Sequence, residues 1–511
     1  MRFVRSTGYI RLIVAILYIA SFTIIVLFPN LYSVRHVAIL TVLLVLTLLA
    51  TQKSPIHRQV IRDVLLIAAT IGVLEACIGL SHVNHLAIIT GTFDNPTLFS
   101  MAISLSVPAL LYFLDTEDKR IRYLVILCFI ILSLAVVLSK SRTGILSMSV
   151  AALLLLRKIC KIRRRLFIGI SAIFVVGLFI TMLLIKSEST TGRSFILSRT
   201  LEMIKDRPSG WGRNGFSKHF MEYQADYFMQ PHDEQHAFLA DDIRHPLNEF
   251  ILVTVNWGIM GLLLILLLIA YIGVWLHKKD VKEKNIIFMF MAILFLWALF
   301  AYPTTLPFVG LFASVYFLPL VCRFWCRAYR YANVFIIIGS LVGMVYTIID
   351  LKYRHDWEKG VTFCKKGKCE ESLAIMEQIA NHYKHNNDFL YSYATVLYNC
   401  SFYEKTISIL QRYKESCTSY EAELMLANSY MFIGQNDMAE KSYTLAHYMC
   451  PVRFTPLYNL FKIYKRDNDI ENMKRIGNQI LTKRIKIYSS EIEIIRHNTR
   501  VELQRLSQHE N

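Results

Sequence analysis

The sequence has no stretch of strict apolar–polar alternation, no cleavable leader and no second half that mirrors the first. Each absence removes a class. Without period-two patterning, helices replace a membrane β-barrel as the expected fold. No small-residue cleavage site follows the first apolar run, which therefore reads as a retained span. Without matched halves, an internally symmetric transporter is disfavoured. The ten cysteines are scattered. Cys322 and Cys326 are three apart by intervening residues, Cys364 and Cys369 four, and neither pair has matching His or Cys partners, which argues against a zinc site. His232 and His236 have an i, i+4 spacing but stand alone among acidic residues, so neither a metal nor a cofactor is expected.

What is present is a series of long apolar runs. Apolar residues make up 54% of the 511. They fall in continuous stretches of roughly 15–25 residues, the length a helix needs to cross a bilayer. Eleven spans are expected, at about 10–28, 34–51, 60–80, 96–114, 121–139, 143–157, 165–185, 247–276, 285–301, 305–322 and 332–350. The sixth is short and suits a tilted or half-buried helix. The net charge of +18 invites a nucleic-acid reading, but much of the positive charge lies in short loops between apolar runs, where it sets topology. With the N-terminus inside, the inside segments hold 22 Lys and Arg, against Arg35, Lys140 and Arg142 in the short outside loops. The predicted fold is an all-α polytopic membrane domain, 1–350, with a long outside loop at about 186–246, followed by a second outside domain, 351–511.

The second domain repeats. Phe363, Leu397, Tyr430 and Tyr464 anchor similar segments spaced 34, 33 and 34 residues apart, ending at Gly367, Ser401, Gly434 and Asn468, with Ser372, Thr406, Ala439 and Met473 in register behind them. That period is the tetratricopeptide period of about 34 residues. Stacked helix pairs of this kind make an α-solenoid able to hold a protein partner. The tail after about 483 suits a capping helix. At most one disulfide is expected here, with Cys364–Cys369 the nearest pair; free packed thiols fit equally well.

The long loop carries Arg193, Arg199, Arg207 and Arg213, then His232, His236 and His245. Guanidinium groups outside a membrane suit a lipid-linked pyrophosphate, because the planar fork grips phosphate oxygens with two hydrogen bonds. Histidine can be neutral near pH 7 and still take a proton from an acceptor hydroxyl. Arg142, at the outer end of a span, and Arg193 are the leading candidates for pyrophosphate. The competing readings are an arginine snorkelling to head groups and the solvated face of an interfacial helix. Arg213, Arg199 and Arg207 follow. His245 is the candidate base; otherwise it is a packed histidine at a helix start. The turn Pro208-Ser209-Gly210-Trp211-Gly212-Arg213-Asn214-Gly215 either lets backbone approach a ligand or is a plain loop. Asp94 and Asn95 precede Pro96 at the outer start of a span and are expected to line the same cavity. Glu75 is an intramembrane carboxylate, a functional candidate by default, with Arg142 as one partner to consider.

Gly91-Thr92-Phe93-Asp94-Asn95-Pro96, Ser139-Lys140-Ser141-Arg142-Thr143-Gly144, Gly192-Arg193, Pro208 to Phe216, His245-Pro246-Leu247-Asn248-Glu249-Phe250 and Gly258-Ile259-Met260-Gly261 together resemble the O-antigen ligase / O-antigen polymerase family, over roughly residues 60–322. The resemblance implies a metal-independent, inverting glycosyltransferase of the bacterial inner membrane that uses undecaprenyl-pyrophosphate glycans. It implies that Arg142 and Arg193 bind pyrophosphate and that His245 is the base. The family often has a histidine directly before the asparagine matched by Asn248; here that residue is Leu247. His236 is the reserve base. Three acceptors fit: lipid A core, a protein hydroxyl, or a second lipid-linked unit. The first two, an O-antigen ligase or a protein O-oligosaccharyltransferase, are favoured over a polymerase. A non-enzymatic membrane scaffold or lipid-linked sugar transporter is the alternative from another class. Nucleic acid is not an expected partner.

Overall fold

The computed structural model describes residues 2–27, 34–50, 58–82, 88–160, 169, 187–231, 233–278, 283–325 and 330–509. Among these, regular structure is helical throughout. The chain forms two compact units: Met1–Ile185, Leu247–Glu249 and Ile265–Arg354 make the first, and Lys186–Pro246, Phe250–Leu264 and His355–Asn511 the second.

The first unit contains α1 (Arg2–Leu27), α2 (Val34–Ala50), α3 (Arg58–Ser81), α4 (Pro96–Tyr112), α5 (Lys119–Leu138) and α6 (Arg142–Cys160). The second half of α10 (Glu249–Lys278), with α11 (Lys284–Phe300), α12 (Pro307–Trp325) and the first part of α13 (Arg330–Lys365), completes it. Five described helices are long and apolar enough to cross a membrane: Gln59–Ser81, Pro96–Asp115, Lys119–Leu138, Glu249–Lys278 and Val334–Lys365. Five shorter apolar helices match further expected spans. The span expected at 165–185 lies, but for Gly169, outside the described residues.

Helix α4 is the centre of this unit, buried on every side from Phe99 to Leu111. Its interior carries polar groups that a bilayer core would leave unsatisfied, so neighbours supply the partners. The Trp297 indole donates to Ser104 Oγ at 2.8 Å. Pro108 interrupts the helix, and the Tyr316 hydroxyl fills the gap, donating to Leu105 O at 2.7 Å and accepting from Ala109 N at 3.0 Å. The outer helices are the reverse. Leu267 and Leu268 on α10 and Phe335, Val342 and Tyr346 on α13 are exposed, the distribution of surfaces that face lipid rather than water.

The second unit holds α7 (Ser187–Asp206), α8 (Gly215–Phe228) and α9 (Glu234–Leu239), then α14 (Cys369–Ala380), α15 (Asn387–Asn399), α16 (Tyr403–Lys414), α17 (Tyr420–Phe432), α18 (Asn436–Met449), α19 (Thr455–Arg466), α20 (Ile470–Thr482) and α21 (Ser490–His509). The four sequence anchors hold one recurring turn. Gly367, Ser401, Gly434 and Asn468 all have positive φ. In each turn the next residue donates back across the helix end: Lys368 N to Phe363 O, Phe402 N to Leu397 O, Gln435 N to Tyr430 O and Asp469 N to Tyr464 O, at 2.9–3.0 Å. This is the left-handed helix stop that glycine favours. Ser372, Thr406, Ala439 and Met473, one turn further on, are all buried. Successive helices pack on a shared core from Leu390 to Ile495, and α21 closes the end.

The disulfide joins Cys369 to Cys400, with Cα atoms 5.7 Å apart, and Cys364 is a free thiol. One disulfide thus forms, but not between Cys364 and Cys369, the pair nearest in sequence. Cys364 and Cys369 flank one helix stop, whereas Cys369 and Cys400 belong to equivalent stops in adjacent repeats, which stacking brings together.

Candidate functional site

The loop is organised by a break in α10. Gly258 has φ 73 and ψ −178 inside the helix, a conformation essentially restricted to glycine. The break frees backbone groups that would otherwise pair within the helix, and the turn 208–212 takes them. Trp211 N donates to Val255 O and Gly212 N to Asn256 O, both at 2.8 Å, and Ile259 N donates to Pro208 O at 3.0 Å. A Cβ on Gly210 would lie 2.4 Å from Gly258 N, and one on Gly258 would lie 2.5 Å from the Ser209 carbonyl carbon. The close approach allowed by these glycines is therefore between turn and helix. Asn256 Oδ1 also accepts from Phe216 N at 3.1 Å, fixing the start of α8.

Trp211 pins the turn to α7 by donating from its indole to Met203 O at 2.9 Å. Arg207 lies over the Trp211 ring at 5.5 Å and is exposed, as is Arg213. Arg199 and His236 are brought together on one aromatic cluster. The Arg199 guanidinium sits 4.4 Å from the centroid of Tyr227 and pairs with Glu202 at 2.6 Å. His236 Nδ1 is 2.8 Å from the Tyr227 hydroxyl, and its ring is 5.0 Å from that of Phe195. Both residues thus have packing roles in the loop. Arg193 lies exposed on α7. His232 is outside the described residues.

His245 is half-buried just before α10. Burial, and then the neighbouring Arg244 guanidinium, hold its pKa below the usual 6.5. A depressed pKa keeps the imidazole neutral, and so able to accept a proton, across more of the physiological range. Burial works to lower the pKa of Arg244, but the surrounding groups, the Asp242 and Asp388 carboxylates among them, outweigh it and hold the pKa raised. Burial pushes Asp242 up against the opposing pull of Arg244 and of the Tyr420 N–H.

In the first unit, Arg142 begins α6 and is half-buried. Lys140 before it has φ 54, and Ser141 Oγ accepts from Gly144 N at 3.2 Å, capping the helix. Gly144 lies where a Cβ would sit 2.6 Å from that of Ser100. Asn95 is the N-cap of α4: its Oδ1 accepts from Thr97 N at 2.7 Å, and it is exposed. Asp94 is exposed beside it. Asn248 donates to Leu299 O at 3.0 Å, which ties the start of α10 to α11, and Leu247 before it has φ 56. Glu75 is 1% exposed and accepts from Thr92, from the backbone N at 2.8 Å and the hydroxyl at 3.0 Å. The partner of Glu75 is thus Thr92, where the sequence had suggested Arg142.

Sequence reasoning passed over Asn256, Gln224 and Arg244. The segment from Asn256 to Gly261 offered a signal, since a glycine pair at the start of an apolar run invites a helix break. Gln224 offered none, because its role depends on partners far away in the chain. Among the described residues no group of three or more His, Cys, Asp or Glu is arranged to hold a metal.

No curated protein and no solved structure matches the chain. The family model described as O-antigen ligase matches residues 127–266. That stretch runs from α5 through the Arg142 helix start, the arginine-bearing loop and His245 to the broken half of α10, and over these residues the chain is similar to the O-antigen ligase family.

Proposed function

We propose that this protein transfers a glycan from undecaprenyl pyrophosphate to an acceptor hydroxyl on the outer side of the bacterial inner membrane. The observation that carries the reading is the family match over the loop and its flanking helices. Arg142 and Arg193 bind the pyrophosphate, assisted by Arg213, and His245 takes the proton from the acceptor as it attacks the anomeric carbon with inversion. Stabilising a departing diphosphate with preformed guanidinium groups needs no metal. The depressed pKa of His245 supports its assignment over His236, whose Nδ1 already engages Tyr227.

The outward orientation rests on the Lys and Arg bias of the short loops, and the Cys369–Cys400 disulfide supports it, since such bonds persist in oxidising compartments. The repeated helix stop supports a tetratricopeptide-like array for residues 351–511. The acceptor is lipid A core in a ligase and a protein hydroxyl in an O-oligosaccharyltransferase. Deleting the gene separates these from a polymerase. Loss of glycan from lipopolysaccharide indicates the ligase and loss from glycoproteins the oligosaccharyltransferase. Shortened polymer with attachment intact would contradict both.

A further inference from the structure

The repeat array and the long loop belong to one compact unit, and the contacts between them recur with the repeat. The linker before α17 is the first. Thr418 N donates to Ser217 O at 2.9 Å, Thr418 Oγ1 donates to Lys218 O at 2.7 Å, and Tyr420 N reaches Asp242 Oδ1 at 3.4 Å. The linker between α18 and α19 is the second. Met449 O accepts from Gln224 Nε2 at 2.6 Å, and Arg453 pairs with Asp241 at 2.9 Å. Tyr448 packs against the loop core of Phe195, Phe228 and Ala240. The linker after α20 is the third, with the Arg484 guanidinium 4.1 Å from the centroid of Phe238. These linkers follow helices that end at Lys414, Met449 and Thr482, so corresponding edges of three successive helix pairs grip one loop.

The hub of this grip is Gln224. It is fully buried, and its Nε2 donates both to Met449 O in the array and to Asp241 O at 3.0 Å in the segment leading to His245. One amide thus ties α8, the array and the segment leading to the candidate base. Asp241 and Asp242, which the array holds, lie a few residues before His245, and the Asp388 carboxylate of the array acts on Arg244.

We infer that the repeat array is an intramolecular clamp whose linker edge positions the loop, and with it His245, for transfer. The inference rests on the proposed function for what the loop does, but not for the clamp itself. Gln224, Thr418 and Arg453 are then positioning residues. They touch neither donor nor acceptor, and their effect reaches the chemistry through the placement of His245.

The test uses the full-length protein in membranes. Gln224→Glu sets a carboxylate against two carbonyl oxygens, which breaks the hub. The clamp predicts that the loop becomes sensitive to added protease and that transfer falls about 10- to 100-fold, the penalty for a misplaced catalytic group. It also predicts that the acid limb of the pH–rate profile moves up towards 6.5 as His245 loses its burial. A second set guards against misfolding. Asp241→Arg and Arg453→Asp should each impair transfer, and the double exchange should restore it. A protected loop with full transfer in Gln224→Glu would overturn the clamp, as would lost transfer with the loop still protected, or an exposed loop with normal transfer. Failure of the double exchange to restore transfer would also count against it. A wild-type protein inert towards polyprenyl-linked glycans would sink the functional reading, while loop protection would still decide the clamp.

Discussion

At the scale of single residues, the proposed function makes His245 the base and the neighbouring Arg244 the group that tunes it. Burial and the adjacent guanidinium lower the His245 pKa, so its neutral form persists below pH 6.5. Transfer is expected to rise with pH through that depressed value and to level off above it. Arg244→Gln removes one of the two causes and should move the acid limb upward, read from kcat/KM between pH 4.5 and 8. The same shift has a stability consequence. As pH falls below 6.5 the unfolded chain takes a proton that the folded imidazole resists, so the His245 contribution to stability declines. Arginine geometry gives a second residue-scale prediction. Arg193→Ala should weaken donor binding more than Arg193→Lys, since lysine keeps the charge but not the fork; titration with the lipid-linked donor checks it. Arg199 and His236 show where sequence reading stops. Both are polar residues in the right loop, yet one lies over Tyr227 and the other bonds to its hydroxyl, and no spacing in the sequence distinguishes a cluster around a ring from a site around a ligand.

At the scale of elements, the break in α10 and the repeated helix stop carry the architecture. Gly258→Ala would force a side chain onto backbone conformation and space that do not admit it. A cost of about 1–3 kcal/mol for the conformation alone should appear as a lower unfolding temperature of the purified protein and a loosened turn at 208–212. The helix stops were legible because they are local: a residue with positive φ and a buried small or apolar residue one turn later repeat at 33–34 residues. The disulfide was not, because it joins two stops that become neighbours only when repeats stack. Cys400→Ser is expected to destabilise the array by roughly 2–4 kcal/mol, as loss of a cross-link closing a loop of this length does. Thermal unfolding with and without reductant measures it; equal midpoints would contradict the account.

At the scale of the whole molecule, the all-α class and the long apolar helices were legible because bilayer thickness sets a length that apolar runs must match. The central place of α4 was not, since burial on all sides looks in sequence like any other apolar run, and only the partners of Leu105 and Ala109 reveal it. The loop–array association was equally hidden, being built from backbone carbonyls such as Met449 O. Orientation is a prediction for the chain as a whole: a reporter fused after residue 400 should be active only outside the cytoplasm, and cytoplasmic activity would reverse the span count. The account's central claim is that His245 drives glycan transfer from an undecaprenyl-pyrophosphate donor. The most direct measurement is single-turnover transfer by purified full-length protein, wild type against His245→Ala, with equal donor binding verified. The account predicts a loss of about 10²–10⁴-fold in the variant. Undiminished transfer by correctly inserted His245→Ala protein would contradict it.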